Sequence, residues 1–160
     1  MEVKIKIRLF LTDVDGVLTD AGMYYTESGD ELKKFNTRDG MGLKLLREAG
    51  IKTGIITTEN TRLVERRAAK LKVDHLVQGA YPKLNAALEI CKAEGISLEE
   101  TAYIGDDVNC LELLEAVGLA ACPSDAVKKV KAVNGILILD KKGGEGVVRE
   151  FAELILEQYS

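Results

Sequence analysis

Residues 8–20 read RLFLTDVDGVLTD, an apolar run that passes directly into a group of carboxylates. A short, continuous apolar run of this kind is typical of a strand buried on both faces of a parallel sheet. Gly16 allows the chain to turn where such a strand ends. Because ligands bind at the carboxyl ends of the strands in open α/β sheets, this stretch indicates both the fold and the place of a site.

The rest of the chain repeats the pattern of an apolar strand followed by an amphipathic helix. Strands are predicted at residues 7–12, 52–57, 75–78, 101–105, 119–121 and 136–139. Helices are predicted at residues 40–49, 61–71, 83–94, 110–116, 126–132 and 146–159, and Gly50, Gly95 and Gly118 are predicted as left-handed caps behind three of them. The alternation predicts an α/β fold, a doubly wound parallel sheet, formed as one domain by residues 1–160.

One segment, residues 22–36 (GMYYTESGDELKKFN), interrupts the passage from the first strand to the first helix. Its two extended runs around Ser28-Gly29-Asp30 predict a β-hairpin. The hairpin is rich in apolar residues, and an isolated hairpin is at best marginally stable. We therefore expect it to pack against another surface, such as a second subunit.

Composition argues against several classes of partner. The formal net charge is −4, from 22 basic and 26 acidic residues, which gives no reason to expect nucleic acid or an anionic membrane as a partner. No apolar run approaches the ~20 residues needed to span a bilayer. The three cysteines form no CxxC or Cys/His spacing, which favours reduced thiols and a cytoplasmic location.

The two carboxylates of the opening stretch can divide the work of phosphoryl transfer. Asp13 can attack phosphorus to form an acyl phosphate, and Asp15 can protonate the leaving oxygen and later deprotonate water. The motif is short, and an acidic turn without chemistry is the alternative on these residues alone.

Further polar residues follow other predicted strands or begin a helix. Thr57 ends the second strand and can donate a hydrogen bond to a phosphoryl oxygen, and Lys83 begins a helix where a bound anion would be favourable. Asp106 and Asp107 follow the fourth strand, and their convergence with Asp13 would be repulsive without a cation. Hard oxygen ligands beside a phosphate ester indicate Mg²⁺. A threonine that only favours the strand, a solvated lysine and an acidic loop remain the alternatives when each is taken singly.

Taken in order, these residues resemble the four signatures of the haloacid dehalogenase superfamily of phosphatases. More narrowly, the chain resembles the capless branch that acts on 3-deoxy-2-ulosonate sugar phosphates. The segments that carry this resemblance are DVDGVLTDAGMYY, FNTRDGMGLKLL, YIGDDVN and GGEGVVREF. The branch includes phosphatases of 3-deoxy-D-manno-octulosonate (KDO) 8-phosphate and of KDN or N-acylneuraminate 9-phosphate.

The resemblance implies a role for each signature residue. Asp13 would be the nucleophile, Asp15 the acid and base, and Thr57 and Lys83 would hold the phosphoryl group. Mg²⁺ would be bound by Asp13, the backbone carbonyl of Asp15 and Asp106, with Asp107 in support. The resemblance also implies a homotetramer in which a neighbouring subunit covers the site, and no cap domain.

The choice of substrate is predicted from the segments that line the sugar-acid site in the family. These residues are Asn36, Thr37, Arg38, Asp39, Gly40, Glu59, Arg67 and Lys70, together with Lys83. Glu59 with Lys70 resembles the nine-carbon KDN 9-phosphate branch, whereas Arg38-Asp39-Gly40 resembles the KDO 8-phosphate branch. From the sequence we favour the nine-carbon substrate, with KDO 8-phosphate as the alternative. A third possibility is that Glu59 and Lys70 have no role in substrate binding and only form a surface ion pair.

Two residues depart from the family pattern. Cys110 stands where the family commonly has Asp, and Thr58 stands where it has Gly. We expect metal binding to survive the first change and the mouth of the site to be narrower after the second.

Two readings compete with an enzyme. A phosphorylated receiver domain would carry its acceptor Asp after the third strand, but that strand ends at Gln78-Gly79. An inactive binding or scaffold module would have lost an essential group, yet all four signatures are present apart from Cys110. We therefore favour a phosphatase.

Overall fold

The computed structural model describes residues 4–160. The strands in chain order are β1 (Leu9–Thr12), β2 (Tyr24–Tyr25), β3 (Glu31–Leu32), β4 (Lys52–Ile56), β5 (His75–Val77), β6 (Thr101–Ile104), β7 (Leu119–Cys122) and β8 (Leu137–Ile138). Six of them form one sheet in the order β5-β4-β1-β6-β7-β8, and every neighbouring pair is parallel. The predicted doubly wound parallel sheet is confirmed.

Helices connect the strands of this sheet. They are α1 (Thr37–Glu48), α2 (Arg62–Leu71), α3 (Lys83–Glu94), α4 (Leu111–Ala116), α5 (Lys128–Lys131) and α6 (Val147–Gln158). Helix α1 begins three residues before its predicted start at Gly40. The side chain of Asn36 accepts a hydrogen bond from the backbone N–H of Arg38 at 2.9 Å and so caps the helix there.

The strand that opens the fold is buried on both faces because its side chains alternate between two cores. Phe10 packs with α1, α2 and α6, and its ring centroid lies 5.6 Å from that of Phe151. Leu9 and Leu11 pack with α3, α4 and α5 on the opposite face. Among residues 4–160, every helix is too short or too polar to span a bilayer.

The predicted glycine caps are confirmed at two of three positions. Gly50 and Gly95 have φ angles of +82° and +65° behind α1 and α3. The prediction for Gly118 is wrong, because α4 ends at an extended Val117 instead. Gly118 serves a close crossing of two backbone segments, where a Cβ atom would lie 1.9 Å from the carbonyl oxygen of Glu99.

Strands β2 and β3 pair antiparallel, which confirms the hairpin between β1 and α1. Its base is joined to the body of the domain by a bridge between Thr19 and Phe35. Met23 and Tyr25 are 56% and 62% exposed in this chain. The hairpin therefore presents an uncovered apolar surface, and its packing against a second subunit stays a prediction.

The first turn of α1 contains a fully buried carboxylate, Asp39. Its Oδ1 accepts a hydrogen bond from the backbone N–H of Arg149 at 3.0 Å, which joins the start of α1 to the start of α6. Burial raises the pKa of Asp39 to about 6, against the opposing effects of its backbone hydrogen bonds and of the Arg67 charge. Asp39 is therefore a group whose charge the fold disfavours.

We expect Asp39→Asn to flatten the pH dependence of stability. The pKa of Asp39 is higher in the folded than in the unfolded chain, so the folded chain binds more protons between about pH 4 and pH 6. The wild-type free energy of unfolding should therefore fall by about 2 kcal/mol across that window through this group. Asn cannot titrate, and thermal unfolding from pH 4 to pH 7 measures the difference between the two profiles.

The matched control is Asp140→Asn, a change at an exposed residue outside this contact. It should leave the profile parallel to that of the wild type. If the Asp39→Asn profile is parallel as well, the buried carboxylate is not the source of the pH dependence.

Candidate active site

A cavity of about 220 Å³ opens at the carboxyl ends of β1, β4 and β6, which are neighbours in the sheet. Parallel pairing places the residues that follow these strands side by side, as the sequence predicted. Predicted site residues that line the cavity are Asp13, Asp15, Thr57, Glu59, Asp106 and Asp107.

The centre of the site is a buried ion pair. The Nζ atom of Lys83 lies 2.9 Å from Oδ1 of Asp13, and their side chains are only 1% and 7% exposed. Burial lowers the pKa of Lys83, but the charge of Asp13 and their hydrogen bond raise it more, so the pKa lies above its usual value. Lys83 therefore remains an ammonium group beside the predicted nucleophile.

Asp106 faces the same carboxylate from the next strand. Burial and then the negative charge of Asp13 hold the pKa of Asp106 well above its ordinary value. One ligand atom each of Asp13, Asp106 and Cys110 lie within 4.8 Å of one another. Two carboxylates this close favour a cation between them, and hard oxygen donors fit Mg²⁺.

The predicted metal ligand Asp15 is placed differently from the other two. Its Oδ1 atom accepts a hydrogen bond from Nζ of Lys33 at 2.7 Å. The side chain of Asp15 is thus held by the hairpin, and a metal contact of its backbone carbonyl stays a prediction.

Lys33 was not predicted as a site residue. Its side chain is 3% exposed although it lies just beyond β3 in the hairpin. Burial lowers the pKa of Lys33, but the hydrogen bond and charge of Asp15 and the charges of Glu59 and Glu31 raise it more, so the net shift of the pKa is upward. The one signal in the sequence is strand alternation, which puts Glu31 and Lys33 on one face and Lys34 on the other.

Cys110, the departure from the family pattern, lies within the ion pair. Its Sγ donates a hydrogen bond to Oδ2 of Asp13 at 3.3 Å and accepts one from Nζ of Lys83 at 3.5 Å. Burial, with the charge of Asp13, raises the pKa of the Cys110 thiol to about 11. A neutral thiol therefore replaces a carboxylate here, and Lys83 is balanced by the single carboxylate of Asp13.

The remaining signature residues lie at the rim and wall of the cavity. Thr57 is buried at the end of β4, and its Oγ1 accepts a hydrogen bond from the backbone N–H of Glu59 at 3.3 Å. Asp107 caps the following turn by accepting from the backbone N–H of Val108 at 2.7 Å. The hydroxyl of Thr57 keeps a proton to donate, and its contact with a phosphoryl oxygen stays a prediction.

The residues predicted to line the sugar-acid site are spread over several places. The side chains of Asn36 and Asp39 form hydrogen bonds to other parts of the chain. Asn36 caps α1 and donates to the carbonyl oxygen of Gly144 at 3.2 Å, and Asp39 is buried against α6. Arg38 is exposed in the first turn of α1. Thr37 and Gly40 line a groove of about 360 Å³ between α1 and α2.

Arg67 and Lys70 line the groove between α1 and α2 as well, and they also line a second groove, of about 470 Å³, next to the catalytic cavity. Lys33 lines this groove and reaches Asp15 in the cavity, so the two spaces adjoin. Glu59 lines the cavity itself, and within residues 4–160 it forms no ion pair with Lys70. The reading of these two residues as a surface pair is therefore wrong.

Comparison with known proteins shows that the chain is similar to a family of hydrolases. A family model described as haloacid dehalogenase-like hydrolase matches residues 41–118. The 3-deoxy-D-manno-octulosonate 8-phosphate phosphatase of Escherichia coli K12 is 40% identical over 94% of this chain and 79% of its own length. The phosphatase of the same name from Haemophilus influenzae is 36% identical over 98% of this chain and 87% of its own.

A solved structure shows the same likeness in three dimensions. The 3-deoxy-D-manno-octulosonate 8-phosphate phosphatase of Moraxella catarrhalis, crystallised with a magnesium ion, a phosphate ion and a KDO molecule, superposes with a TM-score of 0.91. It is 40% identical, and the match covers 95% of this chain and 87% of that one.

Proposed function

The chain belongs to the haloacid dehalogenase superfamily of hydrolases, in the capless branch that includes the KDO 8-phosphate phosphatases, and we propose that it hydrolyses KDO 8-phosphate. It is a phosphatase, and residues 1–160 form its one domain in this proposal. The observation that carries the proposal is the buried pair of Asp13 and Lys83 beside Asp106, in a chain similar over nearly its whole length to enzymes of that activity.

The sequence alone favoured the nine-carbon substrate, KDN 9-phosphate, because of Glu59 and Lys70. The relatives support the eight-carbon alternative better. In this structure Glu59 and Lys70 lie in two different spaces, so they do not form the unit on which the first preference rested.

The first half of the reaction builds on the position of Asp13. A carboxylate oxygen of Asp13 attacks phosphorus, an aspartyl phosphate forms, and the bond from phosphorus to the sugar oxygen breaks. The ammonium group of Lys83, 2.9 Å from Oδ1, neutralises charge on the transferring group, and the hydroxyl of Thr57 donates to one of its oxygens. The leaving oxygen takes the proton of Asp15.

The second half regenerates the enzyme. Asp15, now a carboxylate, removes a proton from water, and the water oxygen attacks the phosphorus of the aspartyl phosphate. The bond between phosphorus and the Asp13 oxygen breaks, inorganic phosphate leaves, and Asp13 is again a free carboxylate. Asp15 ends the cycle with the proton it needs for the next substrate.

Mg²⁺ is the cofactor that this set of residues fits. Asp13, Asp106 and the backbone carbonyl of Asp15 would hold the ion, and Asp107 would support the loop that carries Asp106. When bound, Mg²⁺ supplies positive charge that offsets the carboxylates and the phosphate ester.

Recognition of the sugar acid follows from charge. The substrate carries a carboxylate as well as its phosphate, and the groove beside the cavity is lined by Arg66, Arg67 and Lys70. We place the carboxylate end of the substrate in that groove, where cations with planar donors suit a carboxylate. The excess of basic residues is local, because the whole chain carries a net charge of −4.

The exposed apolar hairpin supports a further part of the proposal, a cytoplasmic homotetramer in which a neighbouring subunit covers the cavity. Met23, Tyr25 and Leu32 are each more than half exposed in the single chain, which is typical of a surface that a partner covers. Light scattering after size exclusion should give four times the mass of the chain, and a monomer would contradict this assembly.

The substrate is tested by phosphate release with Mg²⁺ across sugar-acid phosphates. We expect kcat/KM for KDO 8-phosphate to exceed that for KDN 9-phosphate by at least tenfold, which is about 1.4 kcal/mol in transition-state binding. An aryl phosphate serves as the control for activity that does not depend on the sugar acid. A tenfold preference for KDN 9-phosphate would reject the substrate while leaving the phosphatase in place.

A further inference from the structure

The hairpin contributes a charged group to the catalytic cavity. Nζ of Lys33 lies 2.7 Å from Oδ1 of Asp15, and the Lys33 side chain is almost fully buried although the apolar side of the hairpin is exposed. We propose that Lys33 is a positioning residue that holds the Asp15 carboxyl group in place for proton transfer to the leaving oxygen.

Asp15 needs such a contact more than Asp13 does. Asp13 is buried and is held by Lys83, by the backbone N–H of Val14 at 2.8 Å and by Cys110. The Asp15 side chain is 35% exposed, and within residues 4–160 its carboxylate has a hydrogen bond from Lys33 alone. An exposed carboxylate without this bond would sample several rotamers, and proton transfer requires a separation of about 2.6–3.2 Å.

Further contacts restrain the position of the Lys33 side chain and of the hairpin that carries it. Its ammonium group also lies 3.9 Å from Oε1 of Glu31 on the same face of the hairpin. Three contacts fix the base of the hairpin: the bridge between Thr19 and Phe35, the hydrogen bond from Tyr24 to Asp20, and the ion pair of Lys34 with Glu145 at 3.0 Å. These contacts join the hairpin that carries Lys33 to the body of the domain.

The contact also decides which oxygen of Asp15 carries the transferred proton. Because Oδ1 accepts a hydrogen bond from Lys33, the proton that passes to the leaving oxygen is carried by Oδ2 of Asp15, and a carboxylate remains after the transfer. Lys33 keeps its own protons throughout. Its benefit is therefore greatest for substrates whose leaving group requires a proton.

Substrates that differ in their leaving group separate this role from a structural one. A primary alkyl phosphate must be protonated as it leaves, whereas 4-nitrophenyl phosphate leaves as a stable phenolate. For both, kcat/KM reports the steps up to departure of the leaving group. We expect Lys33→Met to lower kcat/KM for 2-phenylethyl phosphate by about 30-fold and for 4-nitrophenyl phosphate by at most about threefold.

Two further variants complete the measurement. Lys33→Arg restores a cationic donor and should return the value for the alkyl phosphate to within about fivefold of wild type. Lys129→Met is the matched control, because Lys129 is an exposed lysine of α5 outside the hairpin and forms no ion pair within residues 4–160. It should leave both substrates unchanged. If Lys33→Met does not fold, as thermal unfolding would show, Lys33→Gln replaces it with the same expected selectivity.

This inference rests on the proposed role of Asp15, so Asp15→Asn is measured alongside. If Asp15→Asn shows no selective loss of the alkyl phosphate, the role of Asp15 is wrong and the inference fails with it. If Asp15→Asn is selective but the Lys33 variant loses both substrates equally, loses neither, or gains activity, the positioning role alone is overturned.

Discussion

Replacing Asp13 by Asn is expected to reduce phosphate release about 10⁴-fold or more. An amide oxygen is a poor nucleophile, so the aspartyl phosphate cannot form. The substitution preserves the shape of the side chain, and an oxygen can still accept from Lys83 and from the backbone N–H of Val14. It also removes the charge that faces Asp106, which offsets part of the cost of leaving Lys83 without an anion.

Acid quenching during turnover provides a direct readout of this step. The wild-type protein should carry covalent phosphate on Asp13 by mass spectrometry, and Asp13→Asn should carry none. The control is Asp20→Asn, at the end of the same sequence motif, where the carboxylate binds Tyr24 and the backbone N–H of Gly22 outside the cavity. Residual activity of Asp13→Asn within tenfold of wild type would remove Asp13 from the mechanism.

Gly16→Ala is expected to abolish stabilisation of the fold by Mg²⁺ and to lower phosphatase activity by about 100-fold or more. Gly16 has a φ angle of +83°, and a Cβ atom built there would lie 1.8 Å from Oδ2 of Asp106. The added methyl group must displace either the Asp106 carboxylate or the turn that carries the Asp15 carbonyl. Either movement breaks the set of oxygens proposed to hold the metal.

Gly50→Ala is the matched control for backbone strain. Gly50 has a φ angle of +82°, and a Cβ atom there meets nothing within 4 Å. Both substitutions therefore lower the free energy of unfolding by about 1 kcal/mol, because alanine disfavours the left-handed conformation. Only Gly16→Ala also disturbs the carboxylates. Thermal unfolding with Mg²⁺ and with a chelator should show a metal-dependent shift for wild type and Gly50→Ala alone. An equal shift in Gly16→Ala would place the metal elsewhere.

The sequence was informative where a residue's place depends on periodicity. Apolar runs and amphipathic segments predicted all six strands of the main sheet within two residues of their observed ends. Parallel strands bring their carboxyl ends to one edge, so the meeting of Asp13, Thr57 and Asp106 followed from topology. The start of α1 was missed because its first turn carries polar residues, and the Asn36 cap that defines it does not appear in an apolar pattern.

Only the tertiary structure decided how the side chains at that edge are partnered. The contacts of Lys33 with Asp15, of Cys110 with Asp13 and of Asp39 with Arg149 join residues 18, 97 and 110 positions apart. Periodicity assigns a residue to a face of its own element, but it does not say which distant group that face will meet. The distant partner depends on how the elements pack against one another. For this reason the sequence determined the fold and the place of the site, whereas the tertiary structure decided the hydrogen bonds and charges around each carboxylate.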